Sequence, residues 1–155
     1  MPLGEGTPAP SITAQDQNGD EQSLSFGEPT VLYFYPRDDT PGCTTEAREF
    51  DAVTDDFRAE GVTVYGVSTD SVESHREFAE KHGLGFDLLA DPDGEIADAF
   101  EVERGFGDAV SRTTFVIHDG VIQRVFENVN PEGHAAKIRE LLDGMGLLDA
   151  EAEFH

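Results

Sequence analysis

Cysteine is nearly absent: the 155-residue chain holds one, Cys43. A lone thiol excludes an intrachain disulfide and any zinc site of the cysteine-rich kind. Basic residues are scarce too. Ten Lys and Arg, of which only Lys81 and Lys137 are lysines, face 33 Asp and Glu, for a formal charge of -23. So strong a negative field repels DNA, RNA and anionic membranes, which argues against nucleic-acid and membrane partners. No apolar run approaches the roughly 18 residues of a membrane span. The start, "MPLGEGTPAP", lacks the basic and apolar regions of a signal peptide, so a cytoplasmic protein is expected. Repeats, low-complexity tracts and linkers are missing as well. The expectation is one unit over residues 1–155, with a short acidic tail from about residue 148, large enough to bury a core without disulfides or a structural metal.

What is present begins with the acids themselves. They are scattered through every expected element rather than gathered in one block. A solvated acidic surface of this kind suits concentrated salt, because at about 1 M the Debye length falls to roughly 3 Å and self-repulsion is screened. The composition therefore predicts a halophilic source.

The apolar pattern alternates between two periods. "VLYFYP" (31–36) is a short aromatic and β-branched run that suits a buried strand, and Ala47, Phe50, Val53 and Phe57 then recur at helical spacing from about Thr44 to Glu60. "VTVYGVST" predicts a second buried strand. "DSVESHREFAEKHG" predicts a second helix, with Asp70 and Glu73 as a capping box and Gly83 as its stop. "FDLLAD" offers a short strand and "GEIADAF" a short helix. "TTFVIHDGVIQRVFE" reads as a hairpin turning at Asp119-Gly120, and "NPEGHAAKIRELLDGMG" as a closing helix capped by Asn130, with Pro131 at its first position and Gly144 near its end. A small hairpin at Asn18-Gly19 precedes them all. Strand and helix in alternation predict an α/β fold: a mixed central sheet, parallel through its first crossovers and antiparallel at its last pair, with helices on both faces.

Cys43 falls where the first strand gives way to the first helix. The N–H groups of a helix's first turn lack intrahelical partners and the positive end of the helix dipole lies there, which favours thiolate over thiol. "PRDDTPG" ahead of it holds two prolines and a glycine, giving a stiff loop that lets backbone approach a ligand, and Thr40 could turn its hydroxyl toward the sulfur. The alternative is a buried, inert cysteine acting as a small hydrophobe.

Pro36-x-x-x-Thr40-x-x-Cys43 resembles the peroxiredoxin active-site pattern, and "FYPRDDTPGCTTEA" resembles the peroxiredoxin Q subgroup, also called bacterioferritin comigratory protein. The similarity runs from about Pro8 to Leu147 and includes "GVSTDSVESHREFAEKHGLGFDLLADPDGEIADAFEV". It implies a thioredoxin-like fold and a thiol peroxidase acting on hydrogen peroxide and organic hydroperoxides without a cofactor or metal. Cys43 would be the attacking thiolate, oxidised to a sulfenic acid. Arg112, in "SRTTFVIHDG", would hold the thiolate and donate to the peroxide oxygens; Thr40 would contact the same oxygens. The Cys43 N–H with that of Gly42 or Thr44 would stabilise developing charge, and Pro36 would keep bulk water away. For Glu46, an exposed acid at the helix start is the expected role, ahead of orienting Arg37 or Arg112.

The pattern departs from the subgroup in one place. Many members carry a resolving cysteine five residues after the peroxidatic one, and here that position is Arg48. The resemblance then implies a one-cysteine mechanism, regenerated by an external thiol: a thioredoxin, a glutaredoxin-like protein or a low-molecular-weight thiol. A monomer or weak dimer is expected. A redox sensor that relays Cys43 oxidation to a partner protein is the rival reading, and a thioredoxin-like binding domain with an inert cysteine is the third. Other motifs carry less. His75 and His82, seven residues apart on one helix, are about 10.5 Å apart along its axis, too far for one ion. "DPDGE" at Asp91 reads as a turn with acidic surface residues rather than a calcium loop. "GFG" at 105–107 lacks the setting of a dinucleotide fingerprint and reads as flexibility ahead of Arg112.

Overall fold

A computed structural model describes residues 2–144 except Asp39, Glu60, 105–109, Asn128 and Pro131. The "GFG" segment, Pro131 and the expected acidic tail lie outside the described residues. Seven strands form one sheet: β1 (Ile12–Gln15), β2 (Glu21–Leu24), β3 (Thr30–Phe34), β4 (Thr63–Ser68), β5 (Asp87–Ala90), β6 (Thr113–His118) and β7 (Val121–Phe126). Among the described residues four helices accompany them: α1 (Pro41–Ala59), α2 (Val72–His82), α3 (Glu95–Ala99) and α4 (His134–Gly144). The strand order is β2-β1-β5-β4-β3-β6-β7. β3 runs parallel to β4, and β4 to β5. Antiparallel pairing reaches further than the sequence suggests, because β6 is antiparallel to β3 as well as to β7.

Strand β3 is buried at every position, as its unbroken apolar run requires of a central strand. Its side chains alternate between two layers. Val31 and Tyr33, with Tyr35 beyond the strand, meet Ala47, Phe50 and Phe57 of α1, Phe78 of α2, and Ile138 and Leu142 of α4. Leu32 and Phe34 face Ile96 and Ala97 of α3 together with Phe100, Phe115 and Ile122. Helices cover both faces, three on the first and the short α3 on the second.

Several boundaries move. α1 begins at Pro41, three residues earlier than its apolar spacing indicates, with Pro41 in the first-turn position where a missing N–H costs nothing. Cys43 is therefore inside the first turn. Ser71, not Asp70, caps α2, accepting from the Ser74 amide at 3.1 Å; Asp70 is engaged elsewhere, as described below. Gly83 ends that helix in the left-handed region at φ 60°. α4 starts only at His134, and Asn130 accepts instead from the Glu132 amide at 3.1 Å, an Asx turn ahead of the helix. Asp119 and Gly120, at φ 54° and 72°, make the β6–β7 turn with both central residues left-handed. Asp91 proves buried rather than a surface acid: its carboxylate accepts from the Ile96 and Ala97 amides, both at 3.0 Å, and so caps α3.

The contact between sheet and α1 is tight near the centre. Tyr33 stacks on Phe50 with ring centroids 4.6 Å apart. A Cβ at Gly66 on β4 would lie 3.0 Å from the Tyr33 ring and 2.9 Å from Leu88. Gly66→Ala is therefore expected to push Tyr33 against Phe50 and destabilise the protein by about 1–3 kcal/mol. Urea unfolding followed by circular dichroism measures it, and a substitution that leaves the midpoint unchanged would contradict this account.

Candidate active site

Two chain segments far apart in sequence meet at the end of β3. Because β6 is antiparallel to β3, Phe34 at the exit of one pairs with Thr113 at the entrance of the other. The residue just before β6, Arg112, is thus delivered beside the loop and helix that follow β3. Its backbone is fixed there by a bond from the Val129 amide to its carbonyl at 3.1 Å.

Arg112 reaches both ways. Nη2 donates to the Cys43 Sγ at 3.5 Å and Nη1 donates to Glu46 Oε1 at 2.8 Å. Cys43 is only 1% exposed and the Glu46 side chain is fully buried. Burial opposes the charge of Arg112, but the sulfur and the Glu46 carboxylate outweigh it and its pKa lies above the ordinary value. At Glu46 the balance goes the other way. Burial lifts its carboxyl to about 7 from 4.5, although Arg112 pulls it down. Tyr33 lies close by, its hydroxyl buried and its pKa held well up by burial, then by Glu46 and Cys43.

The loop residues are arranged around the same turn. Thr40 sits at the cap position of α1, its carbonyl accepting from the Thr44 amide at 2.8 Å. Its hydroxyl donates to the Arg37 carbonyl at 3.1 Å, so it is turned to the loop's own backbone rather than to the sulfur. The Thr44 amide is thereby committed to the helix. Among the described residues no acceptor takes the amides of Gly42 and Cys43, as expected for the first turn. Pro36, half-buried, follows Tyr35, whose amide donates to Val67 on β4 at 3.0 Å.

Residues 6–125 match the family model described as the AhpC/TSA family. The chain is 40% identical over 146 residues to a chloroplastic peroxiredoxin Q of Sedum lineare, covering 91% of this chain and 78% of that one. Among solved structures, peroxidoxin BcpB of Mycobacterium tuberculosis superposes with a TM-score of 0.83 at 33% identity over 96% of this chain and 97% of its own. The bacterioferritin comigratory protein of Xanthomonas campestris, studied for alkyl peroxide reduction, does so with a TM-score of 0.80 at 32% identity, over 86% and 91%. The chain belongs to the peroxiredoxin family. It is a thiol-dependent peroxidase of the peroxiredoxin Q kind, with the thioredoxin-like fold.

Glu46 is the residue of this peroxiredoxin's site that the sequence reading misplaced. It is not an exposed helix-start acid but the buried partner of Arg112. The signal was available: three residues after Cys43, it shares the inward face of α1 with Cys43, Ala47 and Phe50. Arg48 is exposed, on α1 beyond the first turn.

The raised pKa of Glu46 has a defined effect on stability. A carboxyl that ionises near 4.5 when unfolded and about 7 when folded stabilises the fold fully below pH 4.5, and that contribution is lost as pH rises through about 7. Glu46→Gln keeps the acceptor for Arg112 and removes the titration. The unfolding free energy of the wild type relative to this variant should fall by about 3 kcal/mol across that window and then level off. Urea unfolding at constant salt tests it, and a difference independent of pH would refute it.

Proposed function

We propose that Cys43 is the peroxidatic residue, carried by the single observation that its sulfur sits in the first turn of α1 at 3.5 Å from the Arg112 guanidinium. The thiolate attacks one oxygen of a hydroperoxide ROOH. An S–O bond forms as the O–O bond breaks, the leaving oxygen takes a proton and departs as ROH, and sulfur is oxidised to Cys43–SOH. With hydrogen peroxide the product is water. Arg112 stabilises the thiolate and the charge spreading over the two oxygens. The amides of Cys43 and Gly42, which no acceptor among the described residues takes, add donors in the same turn, whereas Thr44 acts by closing the helix rather than by donating. Thr40 meets the peroxide through the free lone pairs of its hydroxyl, and Pro36 shields the sulfenate from bulk water.

With Arg48 in the fifth position after Cys43 and no second cysteine, regeneration uses an outside thiol. One thiol R′SH displaces water from Cys43–SOH to form a mixed disulfide. A second thiol then attacks the R′ sulfur, releasing R′S–SR′ and Cys43 thiolate. The reductant is a thioredoxin- or glutaredoxin-like protein or a small thiol. The dispersed charge of -23 supports a cytoplasmic setting at high salt, in a monomer or weak dimer.

Single-turnover stopped flow checks these roles. Wild-type protein should consume one equivalent of peroxide without thiol and turn over with it, while Cys43→Ser should stay at background. Arg112→Met should slow sulfur oxidation by about 10²–10³-fold. Peroxide loss that persists in Cys43→Ser would overturn the assignment.

A further inference from the structure

The loop that presents Cys43 is fastened at a second point which the chemistry above does not use. Asp38, between Pro36 and Thr40, is buried, and its carboxylate accepts from three side chains. Tyr35 Oη donates to Oδ1 at 2.5 Å; Ser74 Oγ at 2.8 Å and His75 Nδ1 at 2.7 Å meet Oδ2. The Asp38 amide donates to Asp70 Oδ2 at 2.7 Å, and Ser68 Oγ braces that same oxygen at 2.7 Å. Asp38 is thus tied to Tyr35 just past β3, to Asp70 just past β4 and to α2.

His75 is the member of this group with no freedom. It is fully buried, and its other ring nitrogen, Nε2, lies 3.1 Å from the Leu89 carbonyl of β5. A carbonyl oxygen can only accept, and the Asp38 carboxylate as ionised can only accept. A ring bearing one proton would leave a nitrogen lone pair facing one of those oxygens. The arrangement is satisfied when both ring nitrogens bear protons. The Tyr35 hydroxyl lies 3.3 Å from Nδ1, and the Tyr35 ring is tilted toward the imidazole with centroids 6.2 Å apart. Asp70, which accepts from the Asp38 amide, places a carboxylate oxygen within 4.8 Å of a His75 ring nitrogen and is the second acid facing the imidazole.

We propose that His75 is a positioning residue for the peroxidase reaction: as an imidazolium clamped between the Asp38 carboxylate and the Leu89 carbonyl, it fixes the Pro36–Cys43 loop on the sheet. The inference rests on the reading of Cys43 as the reacting sulfur. Removing the ring leaves a buried carboxylate short of its charge partner, a defect relieved by releasing Asp38 toward water and moving the loop with it. A shift of about 1 Å at a reacting group costs on the order of 10²-fold in rate.

Two measurements on the full chain test it. Nitrogen-15 NMR of the His75 ring at neutral pH should show both nitrogens protonated, and a singly protonated ring would overturn the clamp. In single-turnover oxidation by hydrogen peroxide, His75→Leu should be about 10²-fold slower than wild type under conditions where circular dichroism shows it folded. His75→Asn, which returns a neutral donor toward Asp38, should recover most of that loss, a rescue that bulk packing alone does not predict. A Leu variant as fast as wild type, or an Asn variant as slow as the Leu variant, refutes the role. Should the Leu variant not fold, Asp38→Asn takes its place, with the same slowing expected and an unchanged rate refuting it. A wild-type chain that fails to consume peroxide would defeat the Cys43 reading instead, and the NMR result would still stand or fall by itself.

Discussion

The pairing of Phe34 with Thr113 fixes the chemistry of this molecule. Strand β3 ends where β6 begins, so one residue past the first lies beside one residue before the second. The loop after β3 delivers Cys43, and the turn into β6 delivers Arg112. Neither residue needs a long or strained connection to find the other. The pairing is held by the most deeply buried part of the sheet, since every residue of β3 and the first five of β6 are buried. Backbone ladders and apolar packing therefore set the sulfur-to-guanidinium distance to within the small tolerance that a reacting geometry demands.

Arg112 then has to serve two side chains, Glu46 and Cys43. Glu46 holds one edge of the guanidinium and leaves the other for the sulfur, which orients the cation, but an ionised Glu46 also cancels part of its field. Burial moderates the conflict by lifting the carboxyl to about 7, so that near neutrality a substantial share of Glu46 is uncharged while its hydrogen bond to Arg112 remains available. The overall charge of -23 acts differently on the two reaction partners. Hydrogen peroxide and alkyl hydroperoxides are neutral and feel little of it. An anionic thiol reductant is repelled at low salt and approaches more freely as salt screens the field. Arg37 and Arg48, both exposed and close in sequence to Cys43, soften that barrier where the reductant has to arrive.

Much of this could be read from residue order, and the misreadings share a cause. Strands were legible because β3, β4 and β6 are rich in β-branched and aromatic residues, and the turns at Asn18-Gly19 and Asp119-Gly120 announce themselves by residue type. Caps were less so. Asp70 and Ser71 are adjacent polar residues, either of them able to cap, and the choice fell to Ser71 because Asp70 is claimed by an amide 32 positions away. Asp91 and Glu46 look like surface acids in a chain with acids everywhere. Their burial follows from partners, the α3 amides for one and Arg112 for the other, that only the assembled fold brings near. The Asp38–His75 pair is the extreme case, joining a loop residue to a helix residue that helical periodicity marks only as inward-facing.

The two ends of the Pro36–Cys43 segment differ in how firmly they are held, and that difference bears on regeneration. The Pro36 end is tied down through Tyr35, Asp38 and His75. The Cys43 end depends on the first turn of a helix, where the Thr44 amide bonds to the Thr40 carbonyl and, among the described residues, the amides of Gly42 and Cys43 have no backbone partner. A sulfur that is 1% exposed is within reach of a two-oxygen substrate far more easily than of a thiol borne on another protein. Attack by that thiol on Cys43–SOH needs more access than a sulfur this buried offers, and the first turn of α1 is the less firmly tied end of the segment. A chain with one cysteine has the greatest need of that access, because its reducing thiol has to come from another molecule.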